Sequence, residues 1–509
     1  MSEGIHHVTA VTRRVQANVD FYAGFLGLRL VKQTGGFEDG EQLHLFYGDA
    51  AGSPGSLITF LVWEDGAAGR VGHGQIGEIA LAVPPHSIGD WLSRALAAGV
   101  PHEGPLRAFG ETTLRLKDPD GISVVLVGVD LPSPAPLQDP IAPTRLRGVT
   151  LFSEDAEATA QFVARFGYVE TAREGAVRRM LSGADAVDIR DAAGFFAGLP
   201  GTGIFDHLAF RAPDMPALNA MHSALRQQGA TTVHDRKYFR SLYARDAAGL
   251  LFEYATDAPG FAVDEDPAHL GETLFVPPQD ADRAEDLRVM MPQFARPGAP
   301  RLPLRDLPFV HRFYHPEDPD GSVIVTLHGS GGAEADLFGF AHRMNPRATL
   351  LGVRGRATEE GTARWFRRLG AGVFDQADIR SEAEAFNAFL DGAVKSYGLA
   401  RDRMTVLGYS NGANFAAAVM ALYPDAIGQA VLLRTRLVLE DLPQVDLSNL
   451  TLLTLAGAQD PDADQAQGLA EWMAGRGAQV KAQVVQAGHT WGDDDLPAAQ
   501  DWIKGVGND

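Results

Sequence analysis

The stretch Gly4–Val31, GIHHVTAVTRRVQANVDFYAGFLGLRLV, places a short apolar strand before an amphipathic helix, and this pattern recurs along the chain. The same order is found in three further stretches, Ile76–Val100, Arg147–Glu170 and Phe205–Ala230. An Asp-x-x-Gly turn followed by apolar residues, which predicts a hairpin and a closing strand, occurs at 118–127, 191–196 and 246–254. Repetition of this unit at four places predicts an α+β half built of four modules, each with the order strand, helix and several strands.

The modules, together with the proline content and the strand–helix alternation of the remaining chain, predict a multidomain protein. Residues 1–135 are expected to form modules 1 and 2 as a pair, and residues 143–280 to form modules 3 and 4 as a pair. Residues 263–308 are rich in proline, which disfavours regular helix and sheet, and 281–308 are predicted to be a linker. Residues 309–509 alternate apolar strands with helices, which predicts an α/β domain with a mostly parallel sheet covered on both faces.

Composition excludes several classes of function. The 509 residues include 44 Lys and Arg against 65 Asp and Glu, a formal net charge of −21, and such an acidic surface argues against nucleic-acid binding. The sequence has no cysteine, which removes disulfides, thiolate nucleophiles and cysteine-ligated metals. Neither a signal peptide nor an apolar run of membrane-spanning length is evident, so we expect a cytoplasmic protein without membrane contact.

A serine nucleophile is indicated by Gly408-Tyr-Ser-Asn-Gly412, which lies between a predicted strand and a predicted helix. Asp460 follows a later strand, and His489 follows the last one. The order Ser410, Asp460, His489 at successive strand ends is that of the α/β-hydrolases. In this arrangement His489 accepts the proton of Ser410 and Asp460 orients the imidazole. Two aspartates further from the strand end, at 462 and 464, are alternatives for the acid.

The segment Leu327-His-Gly-Ser-Gly-Gly332 is similar to the His-Gly loop that binds an oxyanion. Backbone N–H groups of Ser330 and Asn411 are therefore expected to receive the developing negative charge. We interpret Arg364–Asp375 as a helix and turn at the surface. Residues 309–509 resemble the phospholipase/carboxylesterase branch of the α/β-hydrolases, which implies hydrolysis of small or acyl esters. A structural remnant without activity is the alternative.

Histidines and a carboxylate occupy related places in the first and fourth modules. His6 and His7 stand in the first strand of module 1, His207 lies at the equivalent place in module 4, and Glu253 lies in the last strand of module 4. Two imidazoles and one carboxylate hold a divalent metal and leave positions for substrate and O₂. Alternation along the strand puts the side chain of Glu253 on the opposite face from its two aromatic neighbours.

Residues 1–280 resemble the vicinal-oxygen-chelate superfamily (glyoxalase, bleomycin-resistance and extradiol proteins), which is built of four βαβββ modules. Within it they are most similar to the ring-cleaving dioxygenases that act on hydroquinones. The stretches that carry this resemblance are Gly4–Thr9, Asp235–Tyr243, Leu251–Phe261 and Gly271–Pro278.

The resemblance implies that His7, His207 and Glu253 bind Fe(II), with Mn(II) or another divalent metal as the alternative, and that O₂ is a co-substrate. It also implies that His6, Arg236 and Tyr243 line the substrate pocket as hydrogen-bonding and proton-transfer groups.

One position departs from the family, because this chain has Asp206 where a second histidine often precedes the ligand of the fourth module. The carboxylate is expected either to orient a ligand imidazole or to change the choice of substrate. At the ligand-equivalent places of modules 2 and 3 the chain has Glu78-Ile79 and Gly148-Val149, so these modules are interpreted as scaffold.

The whole chain is interpreted as a fusion of an Fe(II)-dependent dioxygenase for hydroquinone- or catechol-type diphenols with a serine carboxylesterase-like hydrolase, acting in the degradation or detoxification of aromatic compounds. The hydrolase is expected to process the ring-opened product or to release the diphenol from an ester. Two alternatives are a glyoxalase-type isomerase or lyase and a non-enzymatic quinone- or drug-binding module, each fused to an esterase. The partners expected are small diphenol and ester substrates, and a homo-oligomer is compatible with the sequence.

Overall fold

The computed structural model describes residues 4–301, 305–370, 372–492 and 494–506. The chain divides into two compact units, one formed by Met1–Ala281 with Phe294–Pro300 and the other by Asp282–Gln293 with Arg301–Asp509. Both units therefore contain part of the segment 281–308, of which positions 302–304 lie outside the described residues. Among the helices of the described ranges, none has the length and apolar character needed to cross a bilayer.

The N-terminal unit contains four modules, each with the order strand, helix and three strands. Module 1 comprises β1 Ile5–Thr12, α1 Val15–Val19 (continued by a π-helix, Asp20–Phe25), β2 Arg29–Gly35, β3 Leu43–Gly48 and β4 Leu57–Val62. Module 2 comprises β5 Gln75–Val83, α2 Ile88–Ala98, β6 His102–Ala108, β7 Glu111–Lys117 and β8 Ser123–Gly128. Module 3 comprises β9 Arg145–Ser153, α3 Ala156–Ala164, β10 Val169–Glu174, β11 Val177–Ser182 and β12 Asp185–Asp191. Module 4 comprises β13 Ile204–Ala212, α4 Met215–Leu225, β14 His234–Asp235, β15 Arg240–Arg245 and β16 Leu251–Thr256.

The modules pair differently from the prediction. Modules 1 and 4 share a nine-stranded sheet, in the order β14-β15-β16-β13-β1-β4-β3-β2-β17, in which β17 is Leu274–Phe275. Modules 2 and 3 share an eight-stranded sheet, in the order β10-β11-β12-β9-β5-β8-β7-β6. The predicted pairing of module 1 with 2 and of module 3 with 4 is therefore wrong.

Long-range strand pairing explains the difference. Strand β1 runs antiparallel to β13, with Thr9 opposite His207, and β13 runs parallel to β16, with Ala209 opposite Glu253. The pattern within a module is local, whereas the partner of its first strand depends on contacts 200 residues away, such as that of His7 with His207. Pairing modules 1 and 4 brings the candidate metal ligands onto one sheet.

The proline-rich segment contains more regular structure than the sequence predicts. A helix, α5 Ala284–Met290, occupies the proline-free run before Pro292, because none of its backbone N–H groups is lost to proline. Short 3-10 helices occur along the unit and its extension, at Pro85–Ser87, Arg226–Gln228, Phe261–Val263, Pro267–His269 and Pro278–Arg283, the last with a kink at Asp280. The expectation that 263–308 lacks helix and sheet is therefore wrong.

The C-terminal unit has the predicted alternation of strands and helices. Its strands are β18 His311–Tyr314, β19 Val323–Leu327, β20 Thr349–Val353, β21 Ala357–Glu359, β22 Thr362–Arg364, β23 Arg368–Gly370, β24 Val373–Phe374, β25 Met404–Tyr409, β26 Gln429–Leu433, β27 Thr451–Gly457 and β28 Gln479–Val485. Its helices, besides a 3-10 turn at Arg401–Arg403, are α6 Phe338–Met344, α7 Gln376–Tyr397, α8 Asn411–Leu422, α9 Ala463–Ala474 and α10 Asp495–Val506. The main sheet has the order β18-β20-β19-β25-β26-β27-β28, and only β18 runs antiparallel to its neighbour.

Local signals set several helix boundaries in both units. The side chains of Asp155, Asp214 and Asp375 accept hydrogen bonds from backbone N–H groups in the first turns of α3, α4 and α7. Such caps satisfy donors that have no partner within the helix. Helix α7 ends at Gly398, whose φ of 66° lies in the left-handed region that glycine adopts without strain.

Candidate active sites

The first candidate site is a buried cluster formed by His7 of β1, His207 of β13 and Glu253 of β16. Oε2 of Glu253 lies 3.0 Å from Nε2 of each histidine, and the two Nε2 atoms are 3.2 Å apart. In the described parts of the chain this is the one group of three His, Asp or Glu residues whose ligand atoms all lie within 4.8 Å of one another. The sheet thus brings together the three ligands implied by the sequence.

The chemistry of the cluster fits a divalent metal. Both carboxylate oxygens of Glu253 are buried, and within the described residues neither has a hydrogen-bond donor in suitable geometry. Burial alone would raise the pKa of Glu253, but the neighbouring imidazoles His7 and His207 hold it well below its usual range. A buried carboxylate that stays ionised needs a cation, and two imidazoles with one carboxylate are a ligand set for a metal with open positions.

Each ligand histidine also has a partner at its other ring nitrogen. Nδ1 of His207 lies 2.7 Å from Oδ2 of Asp206, and Nδ1 of His7 lies 2.8 Å from Nδ1 of His6. Contacts of this kind fix the tautomer and the ring orientation of a metal-ligating histidine. Asp206 thus lies where a carboxylate can orient the imidazole of His207, which is one of the two roles expected for it from the sequence.

A cavity of about 270 Å³ opens directly on the cluster. Its apolar wall includes Phe37, Phe46, Leu61 and Phe239, and its polar lining includes Gln42, His44, Arg236 and Tyr243. A mostly apolar cavity with a few converging polar groups is typical of a small-molecule site. Its size and aromatic walls suit a single-ring substrate.

The structure places the predicted pocket residues unequally. Arg236 and Tyr243 line the cavity, with the guanidinium 5.6 Å from the centre of the Tyr243 ring. His6 is buried and is absent from the lining, because it lies against Phe239 and contacts His7. His6 therefore lies beside a metal ligand and behind the cavity lining, and its predicted role as a pocket residue stays a prediction.

His44 of β3 lines the cavity instead, and the sequence reasoning missed it. Its Nε2 lies 2.9 Å from Oγ1 of Thr59, which lies 2.8 Å from Oγ1 of Thr9, which lies 3.0 Å from Nε2 of His207. Two hydroxyls therefore lie between His44 at the cavity wall and His207 of the metal cluster. A histidine among apolar strand residues was the available signal, but a packed core histidine gives the same pattern.

In the sheet of modules 2 and 3, an ion pair occupies the position that corresponds to the His-His-Glu cluster in the sheet of modules 1 and 4. Asp188 of β12 pairs with Thr150 of β9, just as Glu253 of β16 pairs with Ala209 of β13. Thr150 and Ala209 each lie two residues after the ligand-equivalent position of their strand. Arg179 donates to both oxygens of Asp188, at 2.8 and 2.7 Å. An arginine side chain thus supplies the positive charge beside Asp188, and Gly148 and Val149 offer no metal-ligating side chain.

The second candidate site is a catalytic triad in the C-terminal unit. Oγ of Ser410 lies 2.9 Å from Nε2 of His489, whose Nδ1 lies 3.1 Å from Oδ2 of Asp460. Asp460 is buried, whereas the side chain of His489 is 45% exposed and accessible to a substrate. The structure brings the three predicted residues together in the order that proton transfer requires.

The glycines around Ser410 are required by close packing. Ser410 has φ 50° and ψ −114°, a strained conformation that projects its Oγ from the turn between β25 and α8. A Cβ on Gly408 would lie 2.7 Å from the Cα of Ala413, and a Cβ on Gly412 would lie 2.2 Å from the carbonyl oxygen of Leu327. Neither position accommodates a side chain, which explains the Gly-x-Ser-x-Gly pattern.

The loop expected to bind an oxyanion is supported by a buried tryptophan. Trp365 donates from Nε1 to the carbonyl oxygen of His328 at 2.9 Å, and from its backbone N–H to Oδ1 of Asn411 at 2.9 Å. Arg364 donates to Oγ of Ser330 at 2.7 Å. These contacts link the segments of Ser330 and Asn411, and Asn411 begins helix α8, where backbone N–H groups point outward.

The expectation of a helix and turn at the surface for Arg364–Asp375 is wrong. The segment contributes to two short hairpins, β21-β22 and β23-β24, with position 371 outside the described residues. Trp365 and Phe366 between them are fully buried against the core of the unit. Both rings lie against Phe415 of α8, with ring centres 4.9 and 6.4 Å apart, so the segment packs on the helix that follows Ser410.

The fold and the two sites define a class of protein, in which a four-module βαβββ unit with a His-His-Glu cluster is joined to an α/β-hydrolase unit with a Ser-His-Asp triad. Residues 4–126 match the model of the Glyoxalase/Bleomycin resistance protein/Dioxygenase superfamily. MhqO of Bacillus subtilis, named provisionally as a ring-cleaving dioxygenase, is 36% identical over 286 residues, which cover 54% of this chain and 91% of MhqO. The chain belongs to this superfamily.

Other relatives extend the comparison. The chlorohydroquinone/hydroquinone 1,2-dioxygenase of Sphingobium indicum is 31% identical over 309 residues, covering 57% of this chain and 96% of that protein. A solved structure from Bacillus subtilis, provisionally named a dioxygenase, covers 58% of this chain and 98% of its own, with 33% identity and a TM-score of 0.55. MhqD of Bacillus subtilis, named provisionally as a hydrolase, is 32% identical over 185 residues, covering 36% of this chain and 92% of MhqD. The predicted fold class, a vicinal-oxygen-chelate fold followed by an α/β-hydrolase, is confirmed.

Proposed function

We propose that the N-terminal unit is a ring-cleaving dioxygenase that uses Fe(II) and O₂ to open a hydroquinone-type diphenol. The observation that carries this proposal is the position of His7, His207 and Glu253 at a cavity with aromatic walls. The ligand set is the one used by non-haem Fe(II) oxygenases, which leave positions open on the metal. The name of the Sphingobium indicum relative supports hydroquinones as the substrate class.

When bound, Fe(II) supplies the redox chemistry by which O₂ reacts with the aromatic ring. Arg236 contributes a fixed positive charge that stabilises negative charge on a diphenol oxygen, and it is stacked between Phe37 and Tyr243. Burial and the charge of Glu253 raise the pKa of Tyr243 above its ordinary value, so its hydroxyl stays protonated near neutral pH. Tyr243 is thus suited to donate a hydrogen bond to the distal hydroxyl of the substrate.

Proton transfer is assigned to His44 in place of His6. Burial, together with the charges of His7 and His207, lowers the pKa of His44 to about 3, so its imidazole is neutral before substrate binds. A neutral imidazole offers one donor and one acceptor, and the hydroxyl of Thr59 engages its Nε2, which leaves Nδ1 to exchange a proton with the substrate. His44 is therefore the cavity group best placed to exchange a proton with a diphenol hydroxyl.

Oxygen uptake by the metal-loaded full chain tests the dioxygenase. Protein loaded anaerobically with Fe(II), Mn(II) or Zn(II) is offered substituted hydroquinones and catechols, and products are identified by mass. Consumption of one O₂ per diphenol, with both oxygen atoms in the product, is expected with Fe(II). Conversion of a thiol adduct without O₂ would favour the glyoxalase-type alternative, and tight binding of a quinone without turnover would favour the binding module.

Replacing His44 by phenylalanine is expected to lower kcat for O₂ consumption by about 100-fold or more, the usual range for a lost acid–base group. Metal content should be unchanged, because His44 is not a ligand. Thr59→Val, which removes the hydroxyl that holds Nε2 of His44, should also lower kcat. A wild-type rate in His44→Phe, with a rate lost at full metal content in His6→Phe, would return the proton-transfer role to His6.

We propose that the C-terminal unit is a serine esterase. The observation that carries this proposal is the contact chain from Ser410 through His489 to Asp460. His489 takes the proton of Ser410 at Nε2 as Oγ attacks an ester carbonyl, and it later returns that proton to the leaving alcohol. Labelling of Ser410 by a fluorophosphonate, located by peptide mass, tests this assignment.

We also propose that the esterase acts on a product of the dioxygenase. Cleavage of the bond between a hydroxyl-bearing ring carbon and its neighbour adds one atom of O₂ to each carbon. The first carbon becomes a carboxylic acid, and the second becomes a carbonyl. If the second carbon carries an alkoxy group, the new carbonyl is that of an ester, which is a substrate for the triad.

Methoxyhydroquinone is therefore expected to release methanol as O₂ is consumed by the Fe(II)-loaded protein. Ser410→Ala should consume O₂ at the wild-type rate and accumulate a ring-opened methyl ester, because only the second step is lost. Glu253→Gln should give neither O₂ consumption nor methanol. Methanol release at the same rate by Ser410→Ala, or O₂ consumption without methanol by the wild type, would contradict the coupling.

A further inference from the structure

Arg434, which directly follows β26, forms an ion pair with Asp495 inside the C-terminal unit, and both side chains are 0% exposed. The guanidinium donates from Nη1 to Oδ1 and from Nη2 to Oδ2 of Asp495, each at 2.8 Å. This is the two-pronged geometry in which an arginine and a carboxylate bind most specifically. Neither residue belongs to the triad.

The same guanidinium contacts the backbone on both sides of the catalytic histidine. Nε of Arg434 donates to the carbonyl oxygen of Gly488 at 2.7 Å, and Nη2 donates to that of Thr490 at 3.4 Å. Asp495 accepts a hydrogen bond from the backbone N–H of Gly492 at 2.8 Å. The loop that carries His489 is therefore held by the ion pair at three successive points.

His489 depends on this loop for its orientation. Its side chain is 45% exposed, its ring nitrogens contact Ser410 and Asp460, and its ring lies beside that of Tyr409 with the ring centres 5.9 Å apart. A half-exposed ring with so few restraints is positioned chiefly by its backbone. Misplacement of a catalytic group by about 1 Å costs on the order of 100-fold in rate.

Arg434 is also connected to the strands that carry the other triad residues. Its backbone N–H donates to the carbonyl oxygen of Leu455 in β27 at 2.9 Å, and the carbonyl of Leu433 before it accepts from the N–H of Ser410 at 2.9 Å. Arg434 itself has φ 56°, a left-handed conformation that a non-glycine residue adopts at a cost. One residue thus contacts or adjoins all three segments that carry the triad.

Stability alone does not account for this pair. Removing two charges from water costs several kcal/mol per ion, and apolar residues of similar volume are often as stable or more so. We propose that Arg434, held in place by Asp495, is a positioning residue that fixes the backbone on both sides of His489. This inference rests on the proposed serine esterase function.

The test replaces the ion pair by apolar residues in the full chain, as Arg434→Met with Asp495→Leu. Because the exchange leaves no unpaired charge, Tm is expected to stay near that of the wild type. The kcat for a p-nitrophenyl ester and the rate of Ser410 labelling by a fluorophosphonate should both fall about 100-fold, with KM unchanged. The proton signal of His489 Nδ1–H in NMR should broaden or shift.

Arg401→Met with Asp391→Leu is the control, because it removes another ion pair of the same unit that does not touch the triad loops. It should leave kcat, KM and labelling at wild-type values. If the Arg434 and Asp495 double variant does not fold, Arg434→Lys takes its place. A lysine keeps the charge without the planar fork, so kcat should fall about tenfold in folded protein.

Wild-type kcat and labelling in a folded Arg434 and Asp495 double variant, or in folded Arg434→Lys when only that variant folds, would overturn the positioning role. The failure of the proposed function looks different, because the wild-type chain itself would then show neither ester hydrolysis nor labelling of Ser410. In that case the positioning role falls with it.

Discussion

Glu253→Gln is expected to abolish O₂ consumption and metal binding by the N-terminal unit. The wild-type carboxylate is buried with both oxygens lacking a suitable donor among the described residues, so it supplies the negative charge that a divalent cation requires. Glutamine keeps the shape and removes that charge. Metal content after dialysis against Fe(II) should fall from one equivalent to background, and O₂ uptake with a hydroquinone should fall with it.

Thermal unfolding gives a second readout that does not depend on activity. A ligand that binds only the folded state raises Tm, so added metal should stabilise the wild type. That rise should be absent in Glu253→Gln. Its metal-free Tm should be lower than that of the metal-free wild type, because the contacts of the carboxylate with the imidazoles of His7 and His207 are lost. Ester hydrolysis at Ser410 should be unchanged.

Asp188→Asn is a matched control for this prediction. Asp188 occupies the register position of Glu253 in the sheet of modules 2 and 3, but it is paired with Arg179. Its replacement is expected to lower stability and to leave metal content at one equivalent. Full metal binding by Glu253→Gln, or loss of metal in Asp188→Asn, would show that the metal is bound elsewhere.

The features of the fold that the sequence predicts are local ones. Asp-x-x-Gly turns and the alternation of apolar residues are complete within 25 residues or so, and they predict the modules with their strands and helices. The partner of each module is not local. It depends on the side-chain contacts between β1 and β13. The local pattern of each module is equally compatible with pairing module 1 with module 2 and module 3 with module 4.

The candidate sites divide in the same way. The ligands and the triad are predictable because His7 and His207 lie at equivalent positions of two modules with Glu253 in a strand of the second, and because the nucleophile motif lies at a strand end. His44 and Trp365 gave no such signal. The role of each depends on residues distant in the sequence. His44 lies at a cavity next to the hydroxyl of Thr59, and Trp365 donates to the backbone carbonyl of His328.

Ser410→Ala is expected to lower kcat for ester hydrolysis by about 10⁴-fold or more, the usual cost of losing the nucleophile of a triad. KM should change little, because the side chain contributes little to ground-state binding. Metal content and O₂ consumption should stay at wild-type values, since the cluster in the other unit is intact. Hydrolysis of a p-nitrophenyl ester, together with loss of fluorophosphonate labelling, measures the effect.

Ser330→Ala separates the loss of a nucleophile from the loss of any hydroxyl near the site. The oxyanion is expected to bind to the backbone N–H of Ser330, which alanine retains, whereas the hydroxyl contacts Arg364. The kcat of Ser330→Ala should therefore fall by less than about tenfold, far from the cost of Ser410→Ala. Equal losses in the two variants would mean that the hydroxyl of Ser330 is also required. If Ser410→Ala kept its activity, the ester would be hydrolysed without a serine nucleophile, and the half-exposed imidazole of His489 would be the remaining base able to activate water.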